Sequence, residues 1–163
     1  MSSKKEENIE FQLINIEILE SEIKAPTEPL INNIVFSFDI ALEQRFNVEQ
    51  ELIFVICDIT VFPQANPEQK LGKYRSNCIF KVNNLNKYIT DNKKVNLSDN
   101  FIVTINSVAL STTRGLMFSL FKGTFLQRAI LPLLDPSQYK KERKKETKTL
   151  HAVILHFGSK RLS

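Results

Sequence analysis

Ile34, Phe36, Phe38, Ile40 and Leu42 alternate with Val35, Ser37, Asp39, Ala41 and Glu43, so an extended chain would carry an apolar and a mostly polar side. Period-two alternation of this kind predicts a half-buried antiparallel strand. Tyr74, Ser76, Cys78, Phe80 and Val82 alternate in the same way with Arg75, Asn77, Ile79, Lys81 and Asn83. Between these two runs, Leu52 to Phe62 (LIFVICDITVF) is apolar in both phases and rich in β-branched residues, with Asp58 as its only charge. That is the pattern of a central strand. Near the N-terminus Ile14, Ile16 and Ile18 alternate within Glu10–Leu19, while Phe11 and Leu13 belong to the opposite phase. The change of phase allows a bulge or a helix-like start. Pro26 and Pro29 stop regular structure after this strand, and Pro63 to Pro67 form a loop after the central one.

The period then changes. Beyond an Asn- and Lys-rich loop at 84–98, Phe101, Ile105, Val108, Thr112, Leu116 and Leu120 recur at three- and four-residue spacing. This predicts a helix from about Asp99 to Phe121, capped by Ser98 or Asp99. The local preference of FIVTI for strand opposes it, as does Gly115, which costs about 1 kcal/mol relative to Ala in a helix interior. Gly123 is placed to end the helix with a positive φ. Leu150 to Phe157 (LHAVILHF) is a short apolar run that reads as a terminal strand. Strands first and one main helix after them make the chain α+β, and short connections favour an antiparallel meander or hairpin pair. We expect a leader at 1–8, one domain at 9–139, and a basic run with a C-terminal apolar segment at 140–163. One helix covers one face of a four-stranded sheet, so the other face calls for a second subunit or stays open to apolar ligands.

Composition adds two things to this pattern. Among 163 residues there are 12 Phe and no Trp, which points to a Phe-rich core or to apolar surface kept for a partner. Phe36, Phe38, Phe54, Phe62 and Phe80 are each core residues by default. The net charge of +4 is unevenly spread: residues 1–64 carry 4 basic and 12 acidic side chains, and Lys140–Lys148 alone carries 6 basic and 2 acidic. No basic face with interleaved aromatics accompanies that run, which argues against nucleic-acid binding. The polar start MSSKKEENIE lacks the apolar region of a secretory signal, and no window reaches the roughly 18 apolar residues of a membrane span, so a cytoplasmic protein without membrane insertion is expected. Cys57 and Cys78 lie in strand-like apolar runs and read as buried free thiols.

Catalytic chemistry is not visible. Gly72, Gly115, Gly123 and Gly158 belong to no phosphate loop or dinucleotide fingerprint. His151 and His156 fall on opposite faces of a strand, away from other ligand types. Ser111, Thr112 and Thr113 precede Arg114 with no positioned base, and their hydroxyls suit bonding to the preceding helical turn. Asp39 and Asp58 are single carboxylates on strands, suited to an edge or an arginine partner. No enzyme activity, metal or cofactor is expected.

The stretch from Arg114 to Pro132 does carry a signature. An arginine in a helical run, then Lys122-Gly123-Thr124-Phe125, an apolar segment and Pro132, resembles the SecB protein-export chaperone family. Ser21 to Pro29 (SEIKAPTEP), an Ala-Pro pair and a second proline after the first strand, is similar too, and the likeness spans roughly residues 10–136. The resemblance implies a four-stranded antiparallel sheet packed by a long helix and a homo-oligomer (a dimer or a tetramer) built through helix and sheet edges. It also implies an ATP-independent holdase for unfolded or pre-secretory polypeptides, handing them to the SecA motor. Client contacts would then fall on Phe36, Phe38, Phe54, Phe62, Phe80, Phe125 and Leu126. Arg114, Gly123, Thr124, Phe125 and Pro132 would be the structural signature. Asp39, Glu43, Lys140, Lys141, Arg143, Lys144 and Lys145 would supply partner electrostatics. The chain departs from the family after Pro132, where Leu133-Leu134-Asp135-Pro136 and the Lys-rich run replace an Asn-Phe-rich continuation and a second helix is not evident. That departure sets the chain apart from SecA-linked export, and a SecB-like chaperone dedicated to an antitoxin in a toxin–antitoxin–chaperone system is the alternative. A nucleic-acid-associated role for the Lys-rich run is a further alternative, with a solvated charge run as the simpler account.

Overall fold

The computed structural model describes residues 8–30, 33–90 and 95–134, together with the backbone of Val153–Phe157. Residues 1–7 of the leader, the run containing Lys140, Lys141, Arg143, Lys144 and Lys145, and His151 lie outside these residues. The alternating runs form β1 (Phe11–Ile23), β2 (Phe36–Asn47), β3 (Leu52–Pro63) and β4 (Gly72–Val82). The helical stripe forms α1 (Asp99–Phe121), and the terminal apolar run forms β5 (Val153–Phe157). Every pairing is antiparallel, in the order β1-β4-β3-β2-β5.

This order corrects the expected meander. β2, β3 and β4 do follow one another as neighbours, but β1 pairs with β4 rather than with β2. The connection between β1 and β2 holds Pro26 and Pro29 and is too long for a tight hairpin, so it can cross to the far edge. Lys24 N–H donates to the Leu71 carbonyl at 2.9 Å and carries the β1 pairing one step further. A fifth strand, β5, joins the expected four on the opposite edge.

β1 settles its own ambiguous phase with bulges. Its register with β4 shifts between Leu13 and Asn15 and again between Ile18 and Glu20. Leu13 faces Phe80 and Ile16 faces Cys78, so the extra residue at Ile14 brings the Phe11/Leu13 phase and the Ile16/Ile18 phase onto one side of the sheet.

That side is the one α1 covers. Ile40, Leu42, Ile53, Val55, Cys57, Ile59, Tyr74, Cys78 and Phe80 point into a common core with Ile105, Ala109, Met117 and Phe121 of the helix. Ser98 starts the helix with an extended backbone, and its Oγ accepts from the Phe101 N–H at 3.3 Å. The helix holds against its local strand preference because its inner stripe is buried. Two polar pairs sit inside this layer. Gln44 Nε2 donates to Asn106 Oδ1 at 2.6 Å, and the hydroxyls of Ser76 and Thr113 lie 2.8 Å apart. Thr113 also donates to the Ala109 carbonyl one turn back.

The best window of α1 reaches a mean hydropathy of 1.2, so the helix is long and apolar enough to cross a membrane by composition alone. The expectation that no such window exists is therefore corrected. Its inner stripe packs on the sheet and two of its buried polar side chains, Asn106 and Thr113, bond to sheet residues, as in a core helix.

Beyond Phe121 the chain turns sharply. Lys122 has φ −57 and ψ 128, Gly123 has φ +79, and Thr124 N–H donates to the Phe121 carbonyl at 3.0 Å. These are the features of a type II turn, whose third residue needs a positive φ. The positive φ is as expected, but it belongs to this turn rather than to a helix-ending αL cap. A Cβ built on Gly123 meets nothing within 4 Å, so the penalty for Ala there is conformational. Gly123→Ala should destabilise the fold by about 1 kcal/mol. An unchanged urea midpoint would remove the turn from the list of features that need glycine.

Candidate functional site

The arginine and proline of the signature meet. Arg114 Nε donates to the Leu131 carbonyl at 2.8 Å, and its Nη2 donates to the Pro132 carbonyl at 3.0 Å. A guanidinium can hold two successive carbonyls in this way because its donors form a fixed fork. The arm after the turn is thereby folded back along the helix. Thr124 Oγ1 donates to the Phe121 carbonyl at 2.8 Å and accepts from the Leu126 N–H at 3.1 Å, which shapes the start of the arm. Leu126, Ala129 and Leu131 enter the core, while Phe125, Ile130 and Leu133 remain exposed. A Cβ on Gly72 would lie 2.9 Å from Leu126 Cδ1, so the bare backbone of β4 leaves room for this leucine.

The residues expected to contact clients separate accordingly. Phe36, Phe38 and Phe80 lie on the helix-covered side of the sheet and are buried with Leu126 in the core. Phe54 and Phe62 lie on the opposite face, beside Ile56 and Ile79, with Phe54 half-buried and Phe62 buried. Phe125 is the exposed member of the set, at 37%.

The opposite face is framed by charge. Arg75 of β4 lies 3.6 Å from Asp58 and 3.7 Å from Glu43, distances of ion pairs rather than of hydrogen bonds. Arg45 Nε donates to Glu43 at 2.7 Å, and the Glu43 carboxylate raises the Arg45 pKa. Lys73 Nζ is 2.8 Å from Glu20, whose carboxylate likewise raises the lysine pKa. Glu43 thus has its charge balanced within the sheet, and Asp58 has the arginine partner anticipated for it. Asp39 is exposed on β2.

Cys57 and Cys78 are free and buried. Burial pushes the Cys57 thiol up to about 12 and the Cys78 thiol up to about 11, so both stay protonated and unreactive at neutral pH. Burial also raises the Tyr74 phenol above its usual value. Among the described residues no three His, Cys, Asp or Glu side chains converge as metal ligands would.

An open groove of about 910 Å³ lies where β1, the loop before α1 and the helix N-terminus meet. Ile9, Phe11, Tyr88, Ile89, Leu97 and Phe101 line it together with a comparable polar share that includes Lys87, Asn96 and Thr104. Phe11 meets Phe101 edge-on, with centroids 5.3 Å apart and rings at 88°, and so forms one wall. Sequence reasoning treated 84–98 as a plain loop and missed this site. The signal was the apolar residues Tyr88, Ile89, Val95 and Leu97 inside an Asn- and Lys-rich stretch, where Ile89 and Val95 form a β-bridge.

A second apolar surface runs beside the helix. Phe101 packs on Phe11 of β1, and Val108, Thr112 and Leu116 follow it along the same flank at helical spacing. Ile16 and Ile18, exposed at 40% and 58%, lie on the helix side of β1.

No protein-family model matches the chain, and no curated protein matches it. Among solved structures, the fold is similar to that of the SecB-like chaperone Rv1957 of Mycobacterium tuberculosis, determined in complex with a ChAD peptide from the antitoxin HigA1. The TM-score is 0.56 at 11% sequence identity, over 77% of this chain and 90% of that one. At that identity the likeness is one of fold: an antiparallel sheet packed by one long helix, as the resemblance implied.

Proposed function

We propose that the chain is a SecB-like chaperone that holds extended, aggregation-prone polypeptide segments, with an antitoxin as the favoured client. The observation that carries this reading is the open groove of about 910 Å³, with aromatic and aliphatic side chains set among polar ones, at the end of a fold similar to that of a chaperone solved with an antitoxin peptide. A groove with aromatic and aliphatic walls buries client side chains without demanding one sequence, since the driving force follows apolar area. General holding of pre-secretory chains and delivery to SecA is the broader form of the same reading. The antitoxin form gains support from the peptide bound to the similar structure. The reading implies a cytoplasmic protein that works without nucleotide.

Assembly belongs to the proposal. The flank with Ile16, Ile18, Val108 and Leu116 is apolar surface that a second copy would cover, giving a dimer or tetramer through helix and sheet edge. The assembled protein should therefore elute as a dimer or tetramer in size exclusion with light scattering. At equimolar ratio it should suppress aggregation of several chemically unfolded proteins diluted from denaturant. Ile89→Asp in the groove should weaken that suppression severalfold. Aggregation that proceeds unchanged with every client, together with failure to retain a co-expressed antitoxin, would sink the chaperone reading. Retention of an antitoxin without general suppression would decide for the dedicated role.

A further inference from the structure

The two edges of this sheet are not equivalent. We infer that the β2 edge is a strand-addition site for an extended apolar peptide, and that the chain occupies it in cis with β5. The inference rests on the chaperone reading only for the source of the competing peptide, a client segment. The edge and its occupant are features of the fold.

Val153, Ile154, Leu155, His156 and Phe157 pair with Gln44, Glu43, Leu42, Ala41 and Ile40 in turn. The occupant is thus a short segment of four apolar residues and one histidine, the composition expected of an exposed stretch of unfolded client. An edge strand presents a row of N–H and C=O groups, and an added strand satisfies them whatever its side chains, so main-chain bonding admits many sequences. β2 is well suited to this because its register with β3 runs through twelve pairs without a shift. β1, on the other edge, has two register shifts, and bulges twist an edge away from strand addition.

The occupant is also displaceable by construction. Five residues make a short strand and cover five of the twelve residues of β2. Residues 135–152 join it to the arm held by Arg114, and these 18 residues reach about 60 Å when extended, well beyond the width of the sheet. Because β5 belongs to the same chain, its return to the β2 edge is an intramolecular step governed by an effective concentration. A client segment must compete against that concentration, so β5 sets a threshold on which peptides are held. Weakly pairing segments are turned away, and long apolar ones displace it.

The test uses the full chain. Ile154→Pro combined with Leu155→Pro breaks both phases of the β5 ladder and changes no residue of β1 to β4 or of α1. The probe is a fluorescent peptide with the sequence of residues 150–158, LHAVILHFG, carrying a short lysine tail. The variant should bind the probe at least tenfold more tightly than the unmodified protein. Amides of Ile40–Gln44 that are protected from exchange should exchange faster in the variant and regain protection when the probe is added. Equal probe affinity in the two proteins overturns the inference, as does equal exchange at Ile40–Gln44. Protection that rises with protein concentration overturns the cis assignment, since a second copy would then supply the strand. None of these readouts involves a client. If they come out as expected while aggregation is not suppressed, the strand-addition site stands and the chaperone reading falls.

Discussion

Arg114→Ala should lower the unfolding free energy by about 2–4 kcal/mol, the largest effect expected of any charged residue in the described structure. Each of its hydrogen bonds to the Leu131 and Pro132 carbonyls joins a charged donor to a backbone acceptor, and such bonds contribute about 1.5–3 kcal/mol. The pair is half-buried and shares one side chain, so the sum is less than twice the single value. Loss of the fork also loosens the arm that carries Leu126, Ala129 and Leu131 into the core. Arg114→Lys should recover only part of the loss, because one ammonium cannot reproduce the two-carbonyl geometry. Urea unfolding of the three proteins decides it. Equal midpoints would mean that the arm is held by its apolar contacts alone.

Leu126→Ala and Phe125→Ala should part company. Leu126 is fully buried against Gly72, and its truncation should cost about 2–5 kcal/mol through lost burial and the cavity left behind. Phe125, its exposed neighbour, should change stability by no more than about 1 kcal/mol. If Phe125 contacts clients as the family resemblance implies, its truncation should instead weaken client capture. The two residues were drawn from the same candidate set, so the comparison separates a packing role from a binding role. A Phe125→Ala protein with unaltered capture would leave binding to the groove and the sheet edge.

The strands were legible because a half-buried strand writes its burial into the sequence with period two, and β2 and β4 do so cleanly. The helix was legible from its three- and four-residue spacing, but its buried face was not. Beyond Phe101 and Ile105 the core takes Ala109, Thr113, Met117 and Phe121, each one position past the expected Val108, Thr112, Leu116 and Leu120, because the local pattern of apolar residues does not state which flank meets the sheet. Long-range pairing was not legible. Nothing local to β1 states that its partner is β4, and the strongest hint was the proline-bearing connection that follows it. The bulge near Ile14 could be anticipated as a clash of phases but not placed, since a single inserted residue is distinguished only by its partner strand. Arg114 and Pro132 stood out by resemblance, yet their contact spans 18 positions and depends on the turn at Gly123. The groove was hidden for another reason. Its walls come from three separate segments, and each contributes too few apolar residues to form a pattern.

The two polar pairs buried beneath the helix have a consequence beyond their hydrogen bonds. Asn106 and Thr113 are seven residues apart, two helical turns along one line facing the sheet. Apolar surfaces tolerate sliding, and a helix displaced by one turn would still bury much hydrocarbon. Such a slip would set Ile102 or Leu110 against the Gln44 amide, and Ala109 or Met117 against the Ser76 hydroxyl. Each stranded polar group would then cost about 1–3 kcal/mol. The pairs therefore act as two pins in a keyed joint. They disfavour a helix docked one turn out of place during folding, and so preserve the alignment that brings Arg114 level with the carbonyls it must hold.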